Sequence, residues 1–299
     1  MPSLCLLTVH AHPDDEASKG AGTVSRYHSE GVHTVLVTCT GGEEGEILNP
    51  AMDVEAVREN LAEVRRGELD RAAQIIGYDE VVLLGYRDSG MPDTPANKDP
   101  RSFASAPLAE AVGRLVAVIR RTRPQVIVTY PQEQSGYPHP DHLRVNEISE
   151  VAFDAAGDPE RYPDAGPVWQ PLRLCYVTWS IKRMRAMHDK FLELGLESPM
   201  SEERLARLLQ AETEETDAGD QPVRPQVVVD IRGHVSVMRE ALIAHATQVD
   251  PNSPWWFGLP ADVADTLYPY EEYEVARDLT GEANPVDDLF AGVDAVTVR

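Results

Sequence analysis

Two runs of this chain combine a pair of histidines with aspartate, His10-Ala11-His12-Pro13-Asp14-Asp15-Glu16 and His139-Pro140-Asp141-His142. The first run directly follows the apolar stretch Leu4–Val9 and the second comes after the apolar stretch Val126–Tyr130, and each stretch reads as a strand. Imidazole and carboxylate at the carboxyl end of a strand are metal-ligand chemistry in the place where open α/β sheets bind ligands. Two such loops predict one shared site.

His12 and Asp15 lie three apart on the turn leaving the first strand, so both can face one point. With His142 at the start of a later helix they make a three-ligand set for zinc, one ion per chain, with iron(II) as the other ion such a set accepts. Asp14 sits between the two ligands and faces elsewhere, which makes it the candidate general base for a water beside the metal. Aspartate before a helix also serves as a cap, and that is the competing role for Asp14 and Asp15. His139 falls close to the metal without having to bind it, with Asp141 as its orienting carboxylate. Together with the phenol of Tyr137 it can stabilise an oxyanion or protonate a departing amine. His10 reads as a buried, hydrogen-bonded histidine, and Glu16 as a first-turn carboxylate favoured by the helix dipole.

Other loops add polar groups. Thr40-Gly41-Gly42-Glu43-Glu44-Gly45-Glu46 offers carboxylates, Glu44 among them, as a wall for a hydroxylated ligand, or else a solvated acidic turn. Asp88 in Arg87-Asp88-Ser89-Gly90 is a candidate for binding sugar hydroxyls, against a simple turn. Arg65 and Glu68 form an ion pair or reach the pocket. His245 and Trp255-Trp256-Phe257 read as core or packing.

These residues need a scaffold. Strand-like runs at 4–9, 33–39, 80–85 and 125–130 alternate with helical patterns at 16–31, 53–77 and 107–122, which predicts a Rossmann-like, mostly parallel α/β sheet flanked by helices. The second helix has Asp53 as N-cap, Gly77 as C-cap and an apolar stripe of Val54, Val57, Leu61, Val64, Ala72 and Ile75. Further strands are expected at 174–179 and 226–231, and helices at 143–156, 181–210 and 234–247. The acidic run 212–220 reads as a surface loop, and 251–299 as turns and short elements. The organisation expected is a core over 1–160 carrying the metal site and a smaller portion over 161–299 completing the pocket.

Composition narrows the classes. The chain has 299 residues, with 50 Asp and Glu against 27 Lys and Arg, a formal charge of −23. Nucleic acid and anionic membrane surfaces need a basic footprint that this chain lacks, so neither is an expected partner. Three widely spaced cysteines argue against a disulfide framework and for a reducing cytoplasm. Neither a signal peptide nor a membrane span is read. Oligomeric state is not legible.

AHPDDE paired with HPDH resembles the LmbE/PIG-L-type zinc-dependent N-deacetylases, and the likeness extends over the N-terminal half. The resemblance implies a Rossmann-like fold and hydrolysis of an amide on a sugar. It implies His12, Asp15 and His142 as zinc ligands, Asp14 as base, and Tyr137 and His139 as transition-state groups. Arg65 and Asp88 match positions that grip a glucosamine–inositol substrate. Ser18-Lys19-Gly20, Gly45–Asp53 and His245–Gln248 are similar to the branch that cleaves small-molecule thiol–pseudodisaccharide conjugates, and Lys19 is the position expected to mark that branch. A deacetylase that releases acetate, and a metal-holding module without turnover, are the alternatives. Gln134-Ser135-Gly136-Tyr137 and Pro131 depart from the family pattern, and 181–222 matches none of it.

Overall fold

The apolar runs fold as β1 (Cys5–His10), β2 (His33–Thr40), β3 (Glu80–Tyr86) and β4 (Val126–Thr129), followed by β5 (Arg173–Thr178) and β6 (Gln226–Asp230). The computed structural model describes residues 4–132, 138–208, 226–281 and 287–293. A strand that the sequence does not announce, β7 (Tyr270–Asp278), inserts between β5 and β6, giving the order β3-β2-β1-β4-β5-β7-β6. The first five strands pair in parallel, while β7 runs antiparallel to both its neighbours. The sheet is therefore mixed but mostly parallel. Order reverses between β1 and β4, and at that switch point the two loops with histidines leave the sheet side by side.

The helices show where caps and breaks fall. The helix expected over 16–31 splits into α1 (Asp15–Ser18) and α2 (Ala21–Ser29), because Gly20 adopts φ +100°, a left-handed backbone that interrupts the helix. The next splits at Asn60 into α3 (Val54–Arg58) and α4 (Leu61–Ile76). Asp53 caps α3 by accepting from the Ala56 amide at 3.2 Å, and Gly77 ends α4 in a left-handed turn. The buried stripe of α4 is Leu61, Arg65, Glu68, Leu69, Ala72 and Ile76. Val54 and Ile75, assigned to that face from sequence, are exposed. Two charged residues occupy the inward positions, and only the site explains them.

α5 (Leu108–Thr122) and α6 (Pro140–Ala156) pack together on one side of the sheet. α2 and α4 pack on the other, with α8 (Val235–Ala244) lying across them. That is the arrangement right-handed crossovers impose when they wind both ways from β1. Beyond β5 come α7 (Ile181–Glu193), a helical stretch at 202–208, α9 (Pro254–Phe257) and α10 (Ala261–Leu267). The single long helix expected over 181–210 breaks after Glu193, and the acidic run 212–220 lies outside the described residues. β1, β2 and β4 are almost wholly buried, and the core runs from them into both helix layers. Among the described residues no helix is long and apolar enough to cross a membrane.

Candidate active site

β1 ends at His10, and the chain turns at His12–Asp14 before α1 begins at Asp15. α6 begins at Pro140, so His139 sits at its N-cap and Asp141 and His142 in its first turn. The strand order brings these two turns together. His12 Nδ1 lies 3.5 Å from Asp15 Oδ2, and His142 Nε2 lies 3.4 Å from the same oxygen. Bonds of about 2.1 Å in a tetrahedral site put neighbouring ligand atoms about 3.4 Å apart, so this donor set fits a zinc-sized divalent ion. His139 stacks edge-on to His12, ring centroids 4.5 Å apart. A second group of donors, His12, Asp88, His139 and Asp141, also converges there.

Asp141 orients a different imidazole from the one expected. Its carboxylate contacts His12 Nε2 at 3.1 Å and accepts from the amide and hydroxyl of Ser89, while His139 Nδ1 accepts from the Asp141 backbone amide. A carboxylate behind a ligating histidine fixes its tautomer and raises its basicity. Asp88 is also turned inward. It lies 3.6 Å from His12 Nε2, and its oxygens accept from the amides of Gly90 and Glu44. Glu44 itself stands at the rim, paired with Arg87.

Asp14 holds the N-cap position of α1, but its side chain does not cap the helix. Its backbone takes φ +120°, a costly conformation for a residue with a side chain. The strained turn aims its carboxylate at Arg65 Nη2, 3.0 Å away. Arg65, 2 % exposed, also donates to the carbonyls of Gly42 and Pro13. The Arg65–Glu68 pair is not formed. Glu68 instead accepts from the amide and hydroxyl of Thr247, at 2.8 and 2.7 Å. Arg65 thus holds Asp14 while its guanidinium is committed to internal acceptors. Lys19 Nζ lies 2.6 Å from Asp15 Oδ1, and its charge rests on the carboxylate of a candidate ligand.

Local electrostatics separate these groups. Burial resists charge on His12, but hydrogen bonds to Asp141, Asp15 and Asp88 outweigh it and raise its pKa well above the ordinary value. Burial likewise pushes Asp15 up, yet Lys19, His142 and His12 hold it well below the carboxylate range. Asp14 moves the other way: desolvation by the surrounding walls, helped by Asp15, raises its pKa against the pull of Arg65. Burial, then the neighbouring His12, pushes His139 down to about 4.

Two residues entered the site unannounced. His245, at the end of α8, is fully buried and bonds Glu16 Oε1 at 2.5 Å. Glu16 Oε2 in turn accepts from the Asp14 amide. Glu16 is therefore a strut beneath the strained turn as well as a first-turn carboxylate. His10 is as expected, buried and bonded to Tyr130. Tyr137 lies outside the described residues. A cleft of about 390 Å³ opens beside the cluster at the ends of β2 and β3, lined by Pro13, Gly41, Glu43, Ala62, Leu83 and Arg87 among others.

Residues 7–153, which span both motifs, match the family described as PIG-L: GlcNAc-PI de-N-acetylase. The mycothiol S-conjugate amidase of Streptomyces coelicolor is 44 % identical, over 97 % of each chain. This chain belongs to the PIG-L family. Another PIG-L-like relative, the 1D-myo-inositol 2-acetamido-2-deoxy-alpha-D-glucopyranoside deacetylase of Geodermatophilus obscurus, is 40 % identical over 98 % of this chain and 99 % of its own. The N,N'-diacetylchitobiose deacetylase of Pyrococcus horikoshii shares the fold, with a TM-score of 0.59 at 15 % identity, covering 95 % of this chain and 88 % of that one. Within the PIG-L family, then, full-length similarity extends to an amidase and to deacetylases, all named for cleavage of an amide.

Proposed function

We propose that this protein is a metal-dependent amidase that hydrolyses the bond between the cysteinyl carbonyl and the glucosamine nitrogen of mycothiol S-conjugates, a step of thiol-based detoxification. The observation that carries the chemistry is Asp14, held by Arg65 on a strained turn beside the donors of His12, Asp15 and His142. The full-length 44 % identity to an amidase supports the substrate.

His12, Asp15 and His142 would hold the ion, zinc in our reading, with iron(II) as the other candidate. When bound, such an ion supplies Lewis acidity, polarising a carbonyl and acidifying water. The chain does the rest. Asp14 accepts the proton of the attacking water, and its raised pKa lets it keep that proton until the amine departs. With a pKa of about 4, His139 is neutral at pH 7, so it serves as a hydrogen-bond donor to the developing oxyanion while Asp14 serves as the acid. Tyr137 is assigned the second donor. Asp88, Glu44 and Lys19 are assigned to the polar wall that receives the pseudodisaccharide, and Arg65 to positioning Asp14. Three unpaired, buried cysteines support a cytoplasmic setting.

The test is cleavage of a fluorescent mycothiol S-conjugate beside N-acetylglucosaminyl-inositol, with metal analysis of the same sample. The expected result is glucosaminyl-inositol from the conjugate, loss of turnover on chelation and its return with zinc or iron(II). Asp14→Asn should bind metal normally yet lose about 10³-fold in kcat. Faster acetate release would assign the chain to deacetylation. Negligible rates on both substrates, equal in wild type and Asp14→Asn, would leave a metal-binding module.

A further inference from the structure

The sheet edge that carries the metal donors also carries a second chamber, which the proposed chemistry does not use. Trp179 follows β5 at the same carboxyl edge of the sheet. It meets Trp255 and Trp256 of α9, Met238 of α8 and Ala264 of α10 around a cavity of about 60 Å³. Trp179 and Trp255 lie nearly parallel, 16° apart with centroids at 5.9 Å, and Trp256 stands edge-on to both. Aromatic clusters that only pack are common, but two features here suit a ligand. The three indoles are half-buried, and none of their N–H groups is among the buried atoms left without a partner, so these donors stay open to solvent or to a ligand. The Arg183 guanidinium lies 4.1 Å over the Trp179 ring, with the Met238 thioether at 3.7 Å as its hydrogen-bond contact and no ion pair among the described residues.

The chamber is within reach of the chemistry. α8 lines it with Val235 and Met238, and seven residues on from Met238 comes His245, which bonds Glu16 beneath Asp14. At 1.5 Å per residue that separation is about 10 Å. α8 thus links the two places, and a ligand that carries an amide at the metal donors and an apolar group on a side arm would occupy both. In a mycothiol conjugate the sugar, inositol and N-acetyl groups are polar. The group carried on sulfur is the part that can be apolar, and the short cysteine side chain directs it away from the scissile carbonyl.

We propose that the Trp179–Trp255–Trp256 chamber receives the S-substituent of the conjugate, favouring small aromatic groups that carry a hydrogen-bond acceptor for Arg183 and the indoles. This rests on the amidase reading of the neighbouring site. Turnover of S-methyl and S-benzyl mycothiol conjugates is compared in wild type, Trp255→Ala and Ala264→Phe, whose added ring fills the cavity. Both variants should raise KM for the S-benzyl conjugate by about tenfold and leave the S-methyl conjugate unchanged. Three of the four tryptophans line the chamber, so N-acetyl-S-benzylcysteine added alone should quench the wild-type fluorescence and quench Ala264→Phe less. Unaltered KM ratios in a folded Ala264→Phe would overturn the assignment. If wild type cleaves neither conjugate, the amidase reading fails by itself. The fluorescence then decides the chamber: quenching supports it as a site for S-aryl cysteine groups, and no quenching removes it.

Discussion

Arg65 carries the most specific claim at the scale of single residues, because two roles for it predict different kinetics. A residue that grips substrate raises KM when removed, whereas one that only positions the base lowers kcat. Its guanidinium is 2 % exposed and bonds Asp14 and the carbonyls of Pro13 and Gly42, so Arg65→Met should lower kcat about 100-fold with KM nearly unchanged. Gly42→Ala tests the same contact without touching a charge. Gly42 takes φ +68°, and a Cβ there would meet the Arg65 guanidinium. It should reproduce the kcat loss in part while Arg65 keeps its charge, and a selective rise in KM in both variants would return Arg65 to the substrate wall. His12, Asp14 and Asp15 were legible as candidates because they leave β1 together, three residues or fewer apart, and His142 because it stands in a second run of histidine and aspartate. The partners of Asp141, Arg65 and Glu68 were not, because spacing along the chain says which way a side chain leaves its own element and nothing about which loop it meets.

At the scale of elements, β7 shows why a strand can hide. Tyr270-Glu271-Glu272-Tyr273-Glu274-Val275-Ala276-Arg277-Asp278 carries too much charge to read as half-buried, yet Glu271 is 4 % exposed. Its carboxylate accepts from the Gly22 and Thr23 amides at the N-terminus of α2, where a negative charge is favoured, so the charge is part of the packing. The strands β1 to β4 were legible because parallel strands buried on both faces are continuously apolar. α6 depends on a similar hidden charge. Arg120, 1 % exposed on α5, donates to the carbonyls of Ala155 and Ala156 at the end of α6 and to those of Asp158, Arg161 and Tyr162 beyond it. Arg120→Leu leaves these acceptors buried without a donor and should cost about 3–5 kcal/mol, read as a lower urea midpoint. Because the other end of α6 presents His139 and His142, metal affinity should fall with it. An unchanged midpoint would mean that water replaces the guanidinium.

For the whole molecule, the acid excess behind the formal −23 lies mostly outside: Arg65, Arg120 and Arg173 are buried, but so are Asp15, Glu16, Glu68, Asp88, Asp141, Glu271 and Glu272, and the surface stays strongly acidic. Such a surface favours solubility and repels polyanions, and it makes the chain sensitive to anything that adds negative charge. The buried thiols do this on the alkaline side. Burial pushes Cys5 up to about 12, with Glu80 and Asp79 adding to the shift, and burial pushes Cys175 to about 12 as well. In the unfolded chain both thiols ionise near their ordinary value of 9. Between those values the native state holds more protons than the unfolded state, so unfolding free energy falls as pH rises. The stability these thiols contribute is therefore fully present below about pH 9 and lost progressively from there towards 12. Urea midpoints at fixed salt should fall less steeply above pH 9 in a Cys5→Ala/Cys175→Ala variant than in wild type, because self-repulsion is common to both and cancels in the comparison. Equal slopes would show that other buried groups, Tyr78 and Tyr273 first among them, set the alkaline limit, since burial raises both phenols as well.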